Sequence, residues 1–137
     1  LAEKISKEQR SKNMRAIRSV SKLENEVSKA LWKKGFRFRK NTNMFGKPDI
    51  SIKKYKIVIF IDSCFWHSCS IHGNMPKTNQ QYWLKKLERN KLRDEEVTRF
   101  YLDKGWKVLR VWEHDLKLEF DSTVNRIDQF LKKAILS

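Results

Sequence analysis

Two short apolar runs constrain this chain more than anything else in it. DISI (49–52) and KIVIFI (56–61) are rich in β-branched residues, and only Lys53, Lys54 and Tyr55 separate them. Runs this short read as buried strands rather than helices, and a three-residue gap leaves room only for a hairpin. If the hairpin turns around Tyr55, Asp49 and Asp62 lie nearly opposite each other at its open end. Two carboxylates are then fixed at one edge of a sheet, and the rest of the chain has to cover the apolar faces.

The flanking segments supply that cover. Leu23, Val27, Ala30 and Leu31 form one stripe of a helix from Ser21 to Lys34, ended by Gly35. FRFRK (36–40) alternates as a strand with Phe36 and Phe38 inward, and NTNMFGKP (41–48) is loop. Residues 63–78 form a second loop, dense in Cys, His and aromatics. A long helix from Asn79 to Asp103 follows, with Trp83, Leu87, Leu92, Val97 and Leu102 as expected anchors and Gly105 as its stop. WKVLRVW (106–112) alternates as a strand. Asp121 is positioned to cap a final helix carrying Val124, Ile127, Phe130, Leu131 and Ile135. The expected order is α-β-β-β-α-β-α, an α/β domain with a mixed sheet flanked by helices. Residues 1–20 are set apart as a basic arm, and 21–137 as the single domain.

Charge then narrows the partner. Residues 1–60 carry 17 basic and 5 acidic side chains, a net of +12, whereas residues 61–137 carry 14 and 11, a net of +3. An excess of this kind suits a polyanion, of which nucleic acid is the commonest; the bland alternative is a basic protein without a specific partner. No run approaches the length of a membrane-spanning helix, and no basic-then-apolar leader pattern is present. A cytoplasmic protein is expected.

The loop at 63–78 carries metal-ligand spacing. Cys64-x4-Cys69-x2-His72 offers three thiolate or imidazole donors within nine residues. A closed structural zinc site needs four, and His114, just past the WKVLRVW strand, is the natural fourth. The alternative is two buried thiols with incidental histidines. This assignment leaves His67 free.

Phosphodiester cleavage needs a divalent cation held by hard oxygens. Asp49 and Asp62 can supply carboxylates and the Ile61 carbonyl a further oxygen, while His67 can accept the proton from an attacking water. Asp49 alone could merely cap a turn after Pro48. Glu24 has two readings: third residue of a capping box begun by Ser21, or an acid reaching the site from the first helix. Phe65 and Trp66 also have two. They form either a wedge that unstacks DNA or a lid over the zinc. Trp32, Trp106 and Trp112 are expected in the core.

RSKNMRAI (10–17), GKPDI (46–50), VIFIDSCFWHSCSIHG (58–73), YWLKKLERN (82–90) and GWKVLRVWEHDL (105–116) resemble the very short patch repair (Vsr) mismatch endonucleases, in the family's order and over most of the chain. The resemblance implies a restriction-endonuclease-like fold and a Mg²⁺-dependent nick 5′ to the thymine of a T:G mismatch left by 5-methylcytosine deamination. By the same resemblance Asp49 is the metal-binding aspartate, His67 the general base and Glu24 the acid of the first helix. Phe65, Trp66 and Trp83 are then the aromatic wedge, Met14 and Arg15 belong to the DNA-gripping arm, and Cys64, Cys69, His72 and His114 hold the structural zinc. One departure stands out: Asp62-Ser63-Cys64 offers no lysine two residues after the second acid, as PD-(D/E)xK nucleases have, so His67 must take that work.

The expected protein is therefore a monomeric, bacterial, nucleoid-associated nuclease acting on double-stranded DNA and leaving 5′-phosphate and 3′-hydroxyl ends, with a MutL-like repair protein as a further partner. Two alternatives remain from the residues alone. One is a restriction-type nuclease of other specificity; the other is a zinc-stabilised DNA-binding module without hydrolysis.

Overall fold

A computed structural model describes residues 21–63 and 79–136. The order of elements is α1 (residues 21–33), β1 (Arg39–Lys40), β2 (Ile50–Ile52), β3 (Ile57–Asp62), α2 (Gln80–Asp103), β4 (Lys107–Trp112), α3 (Glu113–Leu118) and α4 (Phe120–Leu136). The four strands form one sheet in the order β1-β2-β3-β4. β1 and β3 each run antiparallel to β2, while β4 is parallel to β3. This is the expected mixed sheet flanked by helices.

β3 is the centre of the fold because every one of its residues is buried. Its period-2 alternation divides the interior into two cores. Ile57, Ile59 and Ile61 join Leu23, Val27 and Leu31 of α1 and Val124, Ile127 and Leu131 of α4 on one face. Val58 and Phe60 meet Val97 and Tyr101 of α2 on the other.

The hairpin forms as expected, with a shifted register. Lys53–Tyr55 make a single 3₁₀ turn and Lys56 closes it in the left-handed region, at φ 55°. Ile50 pairs with Ile59 and Ile52 with Ile57, which aligns Asp49 with Phe60 and leaves Asp62 two residues further along β3. The two aspartates therefore share an end of the hairpin without facing each other.

Other expectations change for reasons of geometry. The FRFRK strand shrinks to Arg39–Lys40, while Phe36 and Phe38 still pack on the larger core. In α2 the inward residues are Trp83, Val97 and Tyr101. Leu92 and Leu102 are 65% and 56% exposed, because at 100° per residue they do not share the face that holds Trp83 and Val97. Trp32, expected in the core, is 48% exposed. It lies at the end of α1, where Arg37 stacks 4.0 Å over its ring and donates to its carbonyl at 3.0 Å. The short α3 was not anticipated, and Asp121 sits in the first turn of α4 rather than before it.

Candidate active site

The site is assembled at the end of the hairpin, where β2 begins and β3 finishes. Pro48 is fully buried and fixes the chain entering β2. The Asp49 N–H donates to the Ile59 carbonyl at 3.1 Å, continuing the strand pairing. Beyond that point the side chain takes over from the backbone: Asp49 Oδ2 accepts the Ile61 N–H at 2.6 Å. A carboxylate at this position satisfies an amide that the short β2 leaves open.

Glu24 of α1 also lies beside Asp49, close enough to act on its carboxyl. Burial pushes the Asp49 carboxyl up to about 9, and the neighbouring Glu24, with a smaller push from Asp62, adds to this. The Ile61 N–H acts in the opposite direction. Raised in this way, the Asp49 carboxyl keeps its proton unless a cation takes its place. Glu24 is thus set beside Asp49.

Asp62 has a different environment. Its Oδ1 is 2.8 Å from Arg110 Nη1, and its side chain is only 9% exposed. Arg110 sits on β4 opposite Phe60 and points toward α2, where Nε donates to Thr98 Oγ1 at 2.8 Å and Nη2 to the Asp94 carbonyl at 3.2 Å. Arg110 and its partners were not anticipated. The available signal is an arginine in the middle of the otherwise apolar alternation VLRVW (108–112).

The approach to Asp49 is held by α2 as well. The Tyr101 hydroxyl donates to the Phe45 carbonyl, and the Phe45 ring lies 4.4 Å from that of Phe100. Gly46 has φ +73°, and a Cβ there would lie 2.4 Å from Val97 Cγ1. Only a residue without a side chain allows the loop this close to α2.

His114 lies in the first turn of α3, immediately past β4. Its ring stacks on Trp112 at 6.1 Å, and Nε2 is 3.3 Å from Asp115 Oδ1. Because Asp62 pairs with Trp112, this turn stands beside the strand end that leads into Cys64. Trp83 is 1% exposed and contacts Tyr82 edge to face, so its ring is packed inward rather than presented to solvent. Met14, Arg15, Cys64, Phe65, Trp66, His67, Cys69 and His72 lie outside the described residues. Among the described residues no group of three or more His, Cys, Asp or Glu could hold a metal ion, and no helix is long and apolar enough to cross a membrane.

The chain is similar to known proteins. The family described as "DNA mismatch endonuclease Vsr" matches residues 2–72. The chain is 46% identical over 113 residues to the type II nicking enzyme V.NaeI of Lentzea aerocolonigenes, covering 77% of this chain and 68% of that protein. It is 42% identical over 118 residues to the type II nicking enzyme V.NmeDIP of Neisseria meningitidis serogroup C, covering 83% and 80%. It is 33% identical over 139 residues to the DNA mismatch endonuclease Vsr of Escherichia coli (strain K12), covering 96% and 88%. With this family match and relatives of this kind, the chain belongs to the Vsr DNA mismatch endonuclease family and is a DNA-nicking enzyme of the Vsr type.

Proposed function

We propose that this enzyme is a Mg²⁺-dependent, strand-specific endonuclease that nicks 5′ to the thymine of T:G mismatches produced by 5-methylcytosine deamination. The observation that carries the cation requirement is the half-buried Asp49 carboxyl, raised to about 9 with Glu24 and Asp62 beside it. Hard oxygen donors set against one another suit a small divalent cation. Asp49, Glu24 and the Ile61 carbonyl would hold it, with Asp62 beside them. Bound there, Mg²⁺ would neutralise charge on the scissile phosphate and orient the attacked group.

The chain's own residues do the rest. His67 takes the proton from the attacking water. The Ile61 N–H keeps the Asp49 carboxyl aimed at the strand end. Phe65 and Trp66 open the mismatch, which costs less to unstack than a matched pair, and Trp83 at the start of α2 would back them. Residues 1–20, with Met14 and Arg15, form a DNA-gripping arm on a restriction-endonuclease-like domain of residues 21–137. His114 fits a structural zinc site with Cys64, Cys69 and His72, since the strand pairing sets its turn beside the segment that leads to them. Zinc capture would draw its imidazole from Asp115. The enzyme would act as a monomer in the bacterial cytoplasm at the nucleoid, with a MutL-like protein as an additional partner.

Nicking of a T:G duplex in Mg²⁺, with a matched duplex left intact and EDTA abolishing the reaction, is the expected result. Asp49→Asn should lower kcat by on the order of 10⁴, the scale of losing an essential catalytic group, while DNA binding persists. Cleavage of matched and mismatched duplexes at equal rates would overturn the mismatch assignment and favour a restriction-type specificity. Full activity in EDTA would overturn the cation assignment.

A further inference from the structure

Helix α2 grips the candidate site through Arg110, a residue that takes no part in the chemistry described above. All three of its guanidinium nitrogens are engaged. Nε and Nη2 reach Thr98 Oγ1 and the Asp94 carbonyl on α2 at 2.8 and 3.2 Å, and Nη1 reaches Asp62 Oδ1 at 2.8 Å. The guanidinium carbon lies 4.3 Å above the ring of Phe60, its neighbour across the strand pair. A cation this fully coordinated and stacked is held in one geometry, unlike an exposed surface pair. Asp62 follows directly on Ile61, whose N–H holds Asp49. The guanidinium therefore pins the residue next to Ile61, whose N–H makes the Asp49 contact and whose carbonyl lies in the peptide joining it to Asp62.

We propose that Arg110 is a positioning residue for nicking, drawing Asp62 into a closed ion pair anchored on α2 and leaving Asp49 and Glu24 as the carboxylates that meet the cation. This rests on the cation reading above. Charge supports the division: a third unpaired carboxylate beside Asp49 and Glu24 would add repulsion to a pair already short of a counter-charge. Geometry supports it too, because Arg110 holds Asp62 on the α2 side of β3, whereas Glu24 reaches Asp49 from α1.

The test uses the full chain, with Mn²⁺ binding followed by electron paramagnetic resonance and nicking kinetics measured on a T:G duplex. Asp62→Asn combined with Arg110→Met removes the pair without changing net charge. Mn²⁺ affinity should stay within about two-fold of wild type while kcat falls about ten-fold at unchanged KM for DNA, the usual scale for an outer-shell partner. A loss of Mn²⁺ affinity of about ten-fold or more would make Asp62 a ligand and overturn the proposal, as would an unchanged kcat. Thr98→Val removes a single acceptor and guards against a double variant that does not fold. It should lower kcat a few-fold, roughly three-fold, with Mn²⁺ affinity and melting temperature intact, and an unchanged kcat there overturns the proposal equally. Failure of the wild-type chain to bind Mn²⁺ would remove the cation reading and this proposal together. Binding by wild type with loss in the double variant removes this proposal alone.

Discussion

The two faces of the sheet are built differently, although one strand supplies both. On the α1/α4 face, Ile57, Ile59 and Ile61 meet Val27, Leu31, Ile127 and Leu131 in a continuous apolar core. On the α2 face the apolar part is small, made mainly of Val58, Phe60, Val97 and Tyr101. Polar anchors take over there: Arg110 with Asp62 and Thr98, the Tyr101 hydroxyl on Phe45, and the Thr42–Ser51 hydroxyl pair at 3.0 Å. Apolar burial is non-directional and mainly supplies stability, whereas hydrogen bonds fix position at modest net gain. The α1/α4 face therefore holds the fold together, and the α2 face sets where Asp49 and Asp62 stand.

Ile59→Ala is the heaviest blow this contrast predicts. Ile59 is fully buried in the middle of β3, and truncating such a residue costs about 2–5 kcal/mol. Denaturant unfolding should show that loss, while kcat of the remaining folded enzyme changes little. An equal fall in kcat would mean that the large core also governs the site.

Gly46→Ala should divide the other way. The added Cβ meets Val97 at 2.4 Å at a position with φ +73°, and overlap with backbone strain costs about 1–3 kcal/mol. Relief requires the 41–48 loop to move, and Asp49 moves with it, so kcat should fall more than the stability loss explains. Adding Val97→Ala opens the contact and should recover part of the activity. Activity that stays low in the double variant would assign the defect to the backbone angle alone.

Legibility in the sequence follows the same division. The apolar elements could be read because burial imposes a period: the hairpin runs, the α1 stripe, and Val124, Ile127 and Leu131 of α4 all announce their faces. Asp49, Glu24 and Asp62 could be proposed because carboxylates at strand ends and on a first helix fit phosphodiester chemistry, and the Vsr resemblance gave Asp49 and Glu24 their roles. The Arg110–Asp62 pair could not be read, since an ion pair between β3 and β4 depends on a parallel register set by the intervening helix. Leu92 and Leu102 misled because a leucine in a helix is apolar whichever way it faces. α3 was missed because six residues carry too little periodicity to separate a short helix from a loop.

The finest test concerns the pair that bridges the two faces. Burial and Glu24 raise Asp49 from the ordinary 3.8 to about 9, so the folded, cation-free protein retains a proton that the unfolded chain releases above about pH 4. Between these values the unfolded state binds fewer protons, and this group's contribution to stability, fully present below about pH 4, declines as pH rises toward 9. In EDTA the melting temperature should fall from pH 6 to pH 8.5 more steeply for wild type than for Asp49→Asn, whose amide carries no titrating charge. On the proposed cation reading Mg²⁺ would take the place of the Asp49 proton, so its binding should strengthen with pH and flatten the wild-type curve toward that of Asp49→Asn. Parallel curves for the two proteins in EDTA would mean that Asp49 is ionised before the cation arrives. Burial and the α1-side neighbour would then leave Asp49 charged, and the contrast between the two faces would stop short of the site.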